Sequence, residues 1–67
     1  MMGIIKWFDN GRGVGLIEKE GGGDDVFFDR IAVENAGYIT LRAGQLVDFD
    51  VKQRPQGDQA VNLRVLR

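Results

Sequence analysis

The sequence predicts an all-β fold, a five-stranded antiparallel barrel, and three observations lead to this prediction. The apolar residues of the 67-residue chain fall into five short clusters, and none of them has the spacing of an amphipathic helix. Glycine, aspartate and asparagine separate the clusters, as is typical of turns between strands. Closure into a barrel also removes the exposed edges that an open five-stranded sheet would present.

Each apolar cluster predicts one strand. The five strands are expected at Ile4–Phe8, Val14–Ile17, Val26–Phe28, Leu46–Val51 and Ala60–Leu66. In the fourth strand Val47, Phe49 and Val51 alternate with aspartates, which is the period of a half-buried strand. Between the third and fourth strands, Ile31–Asn35 predicts one short helical turn followed by a long connection. The segment Arg54–Asp58 contains Pro and Gly and predicts a turn.

Composition excludes several classes of protein. The chain has no Cys and no His, which excludes disulfides, thiolate metal sites and triads that depend on either residue. No apolar run approaches the roughly 20 residues of a membrane span, and no signal peptide opens the chain, so a cytoplasmic location is expected. The net charge of −1 indicates that phosphate contacts alone would not dominate binding to a nucleic acid.

The sequence predicts no metal site, no cofactor and no catalytic site. Asp24 and Asp25 follow three glycines and offer few of the six to eight oxygens that calcium needs, which favours a solvated turn over a cation site. A 67-residue barrel is expected to lack room for the roughly 300–1,000 Å³ cleft of a small-molecule site. The prediction is therefore a protein that is not an enzyme.

The most informative segment runs from Lys6 to Ile17. Trp7 and Phe8 are adjacent, so in a strand one side chain enters the core and the other stays outside. An exposed Trp7 beside Lys6 would be a stacking platform, although a Trp that caps an open barrel end remains the alternative. The glycines at every second position, Gly11 to Gly15, resemble part of a dinucleotide-binding fingerprint, but the strand predicted after them favours a role in tight coiling.

Lys6-Trp7-Phe8 followed by Arg12-Gly13-Val14-Gly15-Leu16-Ile17 resembles the opening of bacterial cold-shock proteins. Their pattern is Lys-Trp-Phe-Asn and then Lys-Gly-Phe-Gly-Phe-Ile, the first ribonucleoprotein motif. Asp24-Asp25-Val26-Phe27 resembles the approach to their second motif. Further matches follow in order at Gly37-Tyr38, Thr40-Leu41, Gly44-Gln45, Val47, Phe49, Gly57, Gln59-Ala60 and Asn62. The resemblance implies a single cold-shock domain over residues 1–67, with the oligonucleotide-binding (OB) type of barrel.

The resemblance also implies a function. Cold-shock proteins bind single-stranded RNA or DNA by stacking bases on surface aromatics, and so keep transcripts unpaired. Matching positions place nucleic-acid contacts at Lys6, Trp7, Phe8, Arg12, Val14, Leu16, Phe27, Arg30, Tyr38 and Gln59. Trp7, Phe27 and Tyr38 would stack on bases with a contribution from Phe8, the three cations would supply charge, and Gln59 would form a hydrogen bond.

Departures from the family pattern concentrate at these contacts. Val14 and Leu16 replace the two Phe of the first motif, and Asp29 and Arg30 replace the His and Phe of the second. Aliphatic side chains offer no π face, and Asp29 adds negative charge near the phosphates. Arg30 offsets part of the loss because a guanidinium stacks on bases and pairs with phosphate. Binding is therefore expected to be weaker or altered relative to proteins with the full motifs.

Added aliphatic residues support a different class of function. Ile4, Ile31 and Ile39 stand where relatives usually carry polar or charged residues, and with Val14 and Leu16 some could form an exposed patch. The alternative function is a degenerate barrel that acts through a protein partner or a homodimer, including one formed by segment exchange, and binds little nucleic acid. Scattered surface aliphatics that need no explanation are the third interpretation.

Overall fold

The computed structural model describes residues 1–67, which form five strands and one short helix. In chain order these are β1 (Met2–Asp9), β2 (Val14–Lys19), β3 (Val26–Asp29), α1 (Arg30–Asn35), β4 (Leu46–Arg54) and β5 (Gly57–Val65). The strands close into a barrel in the order β1-β2-β3-β5-β4. The prediction of a five-stranded all-β barrel is confirmed, as is the short helical turn after the third strand.

One strand pair differs from the antiparallel pattern that the sequence predicts. The pairs β1–β2, β2–β3, β1–β4 and β4–β5 are antiparallel, whereas β3 and β5 run parallel and pair through Phe27 and Gln59. The reason is topological, because neighbours in a closed ring of five strands cannot all alternate in direction. The parallel contact closes the barrel beside an exposed aromatic ring.

The hairpin between β4 and β5 is longer than the hydrophobic pattern indicates. Pairing continues to Arg54 and Gly57, so only Pro55 and Gln56 form the turn. Polar residues occupy the ends of both strands, which is why the apolar clusters alone give shorter strands. The hairpin tip therefore projects beyond the core on the side of β3.

Two buried glycines let the barrel coil tightly. A Cβ on Gly15 would lie 2.5 Å from both Phe28 Cζ and the Trp7 carbonyl oxygen, and a Cβ on Gly3 would lie 2.5 Å from Ile17 Cγ2. The glycine-rich segment is followed by β2 rather than by a helix, so it does not form a dinucleotide-binding turn. Of the alternating glycines, Gly15 lies in β2 and fits the structural interpretation, whereas Gly11 and Gly13 lie in the turn before β2.

The core lies inside the barrel and is closed at one end by α1. Phe28 and Phe49 are its largest fully buried side chains, and Val33 of α1 is also fully buried. Asp29 begins the helix as its N-cap and accepts a hydrogen bond from the Ala32 backbone N–H at 3.3 Å. With six residues, α1 is too short to cross a membrane.

Candidate nucleic-acid interface

An outward-facing row of side chains crosses three neighbouring strands. Trp7 of β1 is paired with Leu16 of β2, and Leu16 is paired with Phe27 of β3. Trp7 and Phe27 are 43% and 38% exposed, and Leu16 between them is half-buried. Gln59 of β5 is paired with Phe27 and extends the row across the β3–β5 contact that closes the barrel. We call Trp7, Leu16, Phe27 and Gln59 the stacking row.

A β-bulge turns Trp7 outward. The register of β1 against β2 shifts between Ile5 and Trp7, which leaves Lys6 as an additional residue. Without the bulge, strict alternation from the buried Ile5 would direct Trp7 into the barrel. Lys6 and Trp7 are instead both exposed, and Phe8 turns inward. The structure thus exposes Trp7 on the outer face of β1, where it lies opposite Leu16.

Phe8 packs against the core and does not join the stacking row. Its ring lies parallel to that of Phe28, with centroids 5.6 Å apart and 15° between the planes. The predicted placement of Trp7 and Phe8 on opposite faces is confirmed. Val14 is half-buried and lies in the next outward row, between Asp9 and Asp29.

Two open depressions flank Phe27. The larger, of about 470 Å³, is lined by Leu16, Lys19, Asp24, Asp25, Val26, Phe27, Gln56, Gly57 and Asp58. The smaller, of about 220 Å³, is lined by Phe27 and residues 56–59. The expectation that a chain of this length has no room for such a volume is wrong, because the projecting β4–β5 hairpin forms a wall beside β3. Both depressions are open to solvent.

The cation nearest to Trp7 in sequence is held by a carboxylate. Lys6 Nζ lies 2.7 Å from Asp25 Oδ2 on the protein surface. This hydrogen bond and the attraction of the Asp25 charge raise the pKa of Lys6 above its usual value. Lys6 is therefore charged at neutral pH, but its ammonium is shared between Asp25 and any phosphate that approaches.

Arg12 and Arg30 lie at the turn between β1 and β2. The Arg12 side chain is exposed and makes no ion pair. The Arg30 guanidinium donates a hydrogen bond to the Asn10 carbonyl oxygen and lies against Gly13, where a Cβ would be 2.9 Å from Cζ. Arg30 thus secures this turn to α1, and Arg12 is the freer of the two cations.

Asp29 has a different environment from the one expected. Its Oδ1 caps α1 through Ala32, and its Oδ2 accepts a hydrogen bond from Gln59 Nε2 at 3.1 Å. Asp29 is half-buried, so it is an anchored group and not a solvated charge among the phosphates. Its replacement of a family His was visible in the sequence, whereas its bond to Gln59 depends on the parallel β3–β5 contact.

Tyr38 and the two aspartates of the β2–β3 turn are the remaining positions that the sequence singles out. Tyr38 is 42% exposed and belongs to the connection between α1 and β4. Asp24 and Asp25 are not part of any group of three acidic side chains that could hold a metal, and Asp25 instead pairs with Lys6. Sequence reasoning missed Asp58 beside Phe27, because nothing in its polar turn indicates which strand the hairpin approaches.

Comparisons with known proteins agree with this geometry. A profile of the 'Cold-shock' DNA-binding domain family matches residues 1–66. The chain is 50% identical over 58 residues to cold shock-like protein CspD of Escherichia coli, which covers 87% of this chain and 78% of that protein. It is 45% identical over 62 residues to cold shock-like protein CspA of Stigmatella aurantiaca, covering 92% and 91%. It is 42% identical over 66 residues to a cold shock-like protein of Thermotoga maritima, covering 98% of each.

The family match covers nearly the whole chain, and the barrel carries exposed aromatic side chains where the family motifs lie. Cold-shock proteins are nucleic-acid-binding proteins and not enzymes, which agrees with the prediction from the sequence that this protein is not an enzyme. This protein belongs to the cold-shock domain family.

Proposed function

We propose that this protein binds single-stranded RNA or DNA by stacking bases on Trp7 and Phe27, as an RNA-chaperone-like module of one domain. The observation that carries the proposal is the stacking row, in which both rings are exposed and cross-strand neighbours of Leu16. Each stacked base contributes about 1–3 kcal/mol. Double-stranded nucleic acid keeps its bases paired and stacked internally, so the row favours single strands.

Charge has a secondary role in this mechanism. Lys6 precedes Trp7 in β1, Arg12 lies in the turn between β1 and β2, and Arg30 donates to Asn10 of that turn. At these positions the three cations would meet phosphates. Asp24, Asp25 and other acidic groups lie beside Phe27 and oppose that attraction. Affinity should therefore fall only modestly with salt, in contrast to binders that depend on many phosphate contacts.

Affinity should also be lower than that of family members with the full motifs. Two platform positions of the first motif are aliphatic here, and Leu16 interrupts the stacking row between Trp7 and Phe27. The loss of two platforms corresponds to about 2–6 kcal/mol if each would have held one base. Equal affinity of this protein and a full-motif relative for the same oligonucleotide would contradict this part of the proposal.

Titration of Trp7 fluorescence with a short single-stranded oligonucleotide tests the proposal. Because the chain has one Trp, any quenching reports on this platform. Saturable quenching at micromolar ligand supports stacking, and a matching duplex should quench far less. Binding to transcripts would place the protein in the cytoplasm, and that location remains a prediction.

A second candidate function is self-association. Ile4 is paired with Leu46, and the Leu66 N–H donates to the Leu46 carbonyl oxygen at 2.8 Å, so three aliphatic residues adjoin on the outside of the barrel. Glu18 borders this group on β2 and Arg64 borders it on β5, but Arg64 is already paired with Asp48, so a contact between two copies would rest on the aliphatic residues. Elution volumes at high and low concentration test it, and a monomer throughout would exclude it.

The other predicted aliphatic residues do not join this group. Val14 and Leu16 are half-buried on the face that carries the stacking row. Ile31 lies on α1, and Ile39 lies in the following connection with 90% of its side chain exposed. The connection between α1 and β4 is also where chains would cross in a segment-exchanged dimer.

A further inference from the structure

The amide of Gln59 is held in one orientation. Gln59 Nε2 lies 3.1 Å from Asp29 Oδ2, and both side chains are half-buried. An ionised carboxylate only accepts hydrogen bonds, so the amide must present its NH₂ group to Asp29. Asp29 is itself fixed, because its other oxygen accepts from the Ala32 N–H. The Gln59 carbonyl oxygen is therefore directed away from Asp29 and remains an available acceptor.

The residue that carries this acceptor borders the exposed Phe27. Gln59 and Phe27 are the paired residues of the β3–β5 contact, and both line the smaller depression together with Asp58. Asp24 and Asp25 line the larger depression, which also contains Phe27 and Asp58. A base that stacks on Phe27 is thus surrounded mainly by hydrogen-bond acceptors. Lys19 and Gln56 supply donors, and Lys6 is already bonded to Asp25.

Bases differ in what they present to such a surface. Cytosine carries an exocyclic amine at C4, which donates, and carboxylates accept from it. Uracil carries a carbonyl oxygen at the same position, which is repelled by carboxylate and amide oxygens. The two bases have nearly the same ring area, so stacking on Phe27 does not distinguish them.

We propose that the Phe27 position selects bases with a donor amine at this edge, cytosine above uracil, and that Asp29 is the positioning residue that sets the preference through Gln59. The inference rests on the proposed single-strand binding, since it concerns the choice of base at the same surface. It assigns a role in recognition to the position where this chain departs from the family's second motif.

Paired titrations with the hexanucleotides of deoxycytidine and deoxyuridine test the preference. They are performed at neutral pH and one salt concentration, with quenching of Trp7 as the signal. The deoxycytidine hexamer should bind about three- to tenfold more tightly, the range expected from one net hydrogen bond.

Two variants test whether Asp29 acts by positioning Gln59 rather than by capping α1 or by its charge. Asp29→Ser keeps an N-cap residue but is too short to reach Gln59, so the ratio of the two affinities should fall towards one. Glu34→Gln removes the same charge from an exposed position of α1 and should leave the ratio unchanged. Thermal melting verifies that both variants fold.

The outcomes distinguish this inference from the proposed function. If neither oligomer quenches Trp7 at hundreds of micromolar, single-strand binding itself is refuted and the base preference with it. If both bind but uracil is equal or preferred, only the base preference is refuted. A folded Asp29→Ser protein with an unchanged ratio would likewise overturn the role of Asp29.

Discussion

Replacing Leu16 with Phe should strengthen binding to single strands. Leu16 is the one aliphatic residue between the Trp7 and Phe27 rings, and adjacent strands lie about 4.8 Å apart. A ring at this position would bridge the gap and give a continuous aromatic row across β1, β2 and β3. Leu16 is already half-buried, so a Phe there would expose only part of its face to a base.

The expected gain is therefore in the lower part of the range for one stacked base. We expect about 1–2 kcal/mol, which corresponds to roughly five- to thirtyfold tighter binding. The assay is fluorescence anisotropy of a labelled single-stranded heptamer, because the substitution adjoins Trp7 and would alter its emission directly. The salt dependence should not change, since no charge is altered.

A matched control makes the result specific. Leu46 is also half-buried on the outside of the barrel, but it lies on β4 beside Ile4 and outside the stacking row. Leu46→Phe should leave the affinity unchanged. If Leu16→Phe folds and binds no more tightly, or if both variants gain equally, the argument that the row is the binding surface is refuted.

Three further predictions concern packing and charge. Gly15→Ala should lower the free energy of unfolding by about 1–3 kcal/mol in denaturant titrations, because its Cβ would lie 2.5 Å from the Trp7 carbonyl oxygen, and an unchanged stability would contradict this close approach. Hydrogen bonds from Arg64 and the N-terminal amine hold the pKa of Asp48 below its usual value, so ionised Asp48 stabilises the fold at neutral pH and this contribution is lost as the pH falls below about 4. The stability difference between wild type and Asp48→Asn should thus shrink on acidification, and a constant difference would contradict the assignment. Asp25→Asn should free Lys6, lower the raised pKa of its ammonium and steepen the salt dependence of oligonucleotide binding, and an unchanged salt slope would show that Lys6 meets no phosphate.

The fold could be predicted from local patterns, and the site only in part. Five apolar clusters predict five strands because each strand buries one face, and the short helical turn follows from a local apolar group. The bulge at Lys6 could not be predicted in the same way, because it is a shift in the register between β1 and β2 and gives no clear signal in the sequence of either strand. It nevertheless decides that Trp7 is exposed.

Long-range register also explains the unpredicted surroundings of Phe27. Asp29 is near Gln59 only because β3 and β5 meet in a parallel contact that closes the ring. Asp58 reaches Phe27 because the hairpin remains paired to Arg54 and Gly57. The proposed base preference depends on these groups, and therefore on contacts between residues that are distant in the sequence.

The central claim is that exposed rings on β1 and β3 bind unpaired bases, and one measurement tests it most directly. Trp7 fluorescence of the unmodified protein is titrated with a single-stranded oligonucleotide at low and at higher salt. We predict saturable quenching at micromolar ligand that weakens only modestly with salt, and binding that is roughly five- to 150-fold weaker in Phe27→Ala. No quenching at hundreds of micromolar ligand and low salt would contradict the claim and direct attention to the surface formed by Ile4, Leu46 and Leu66.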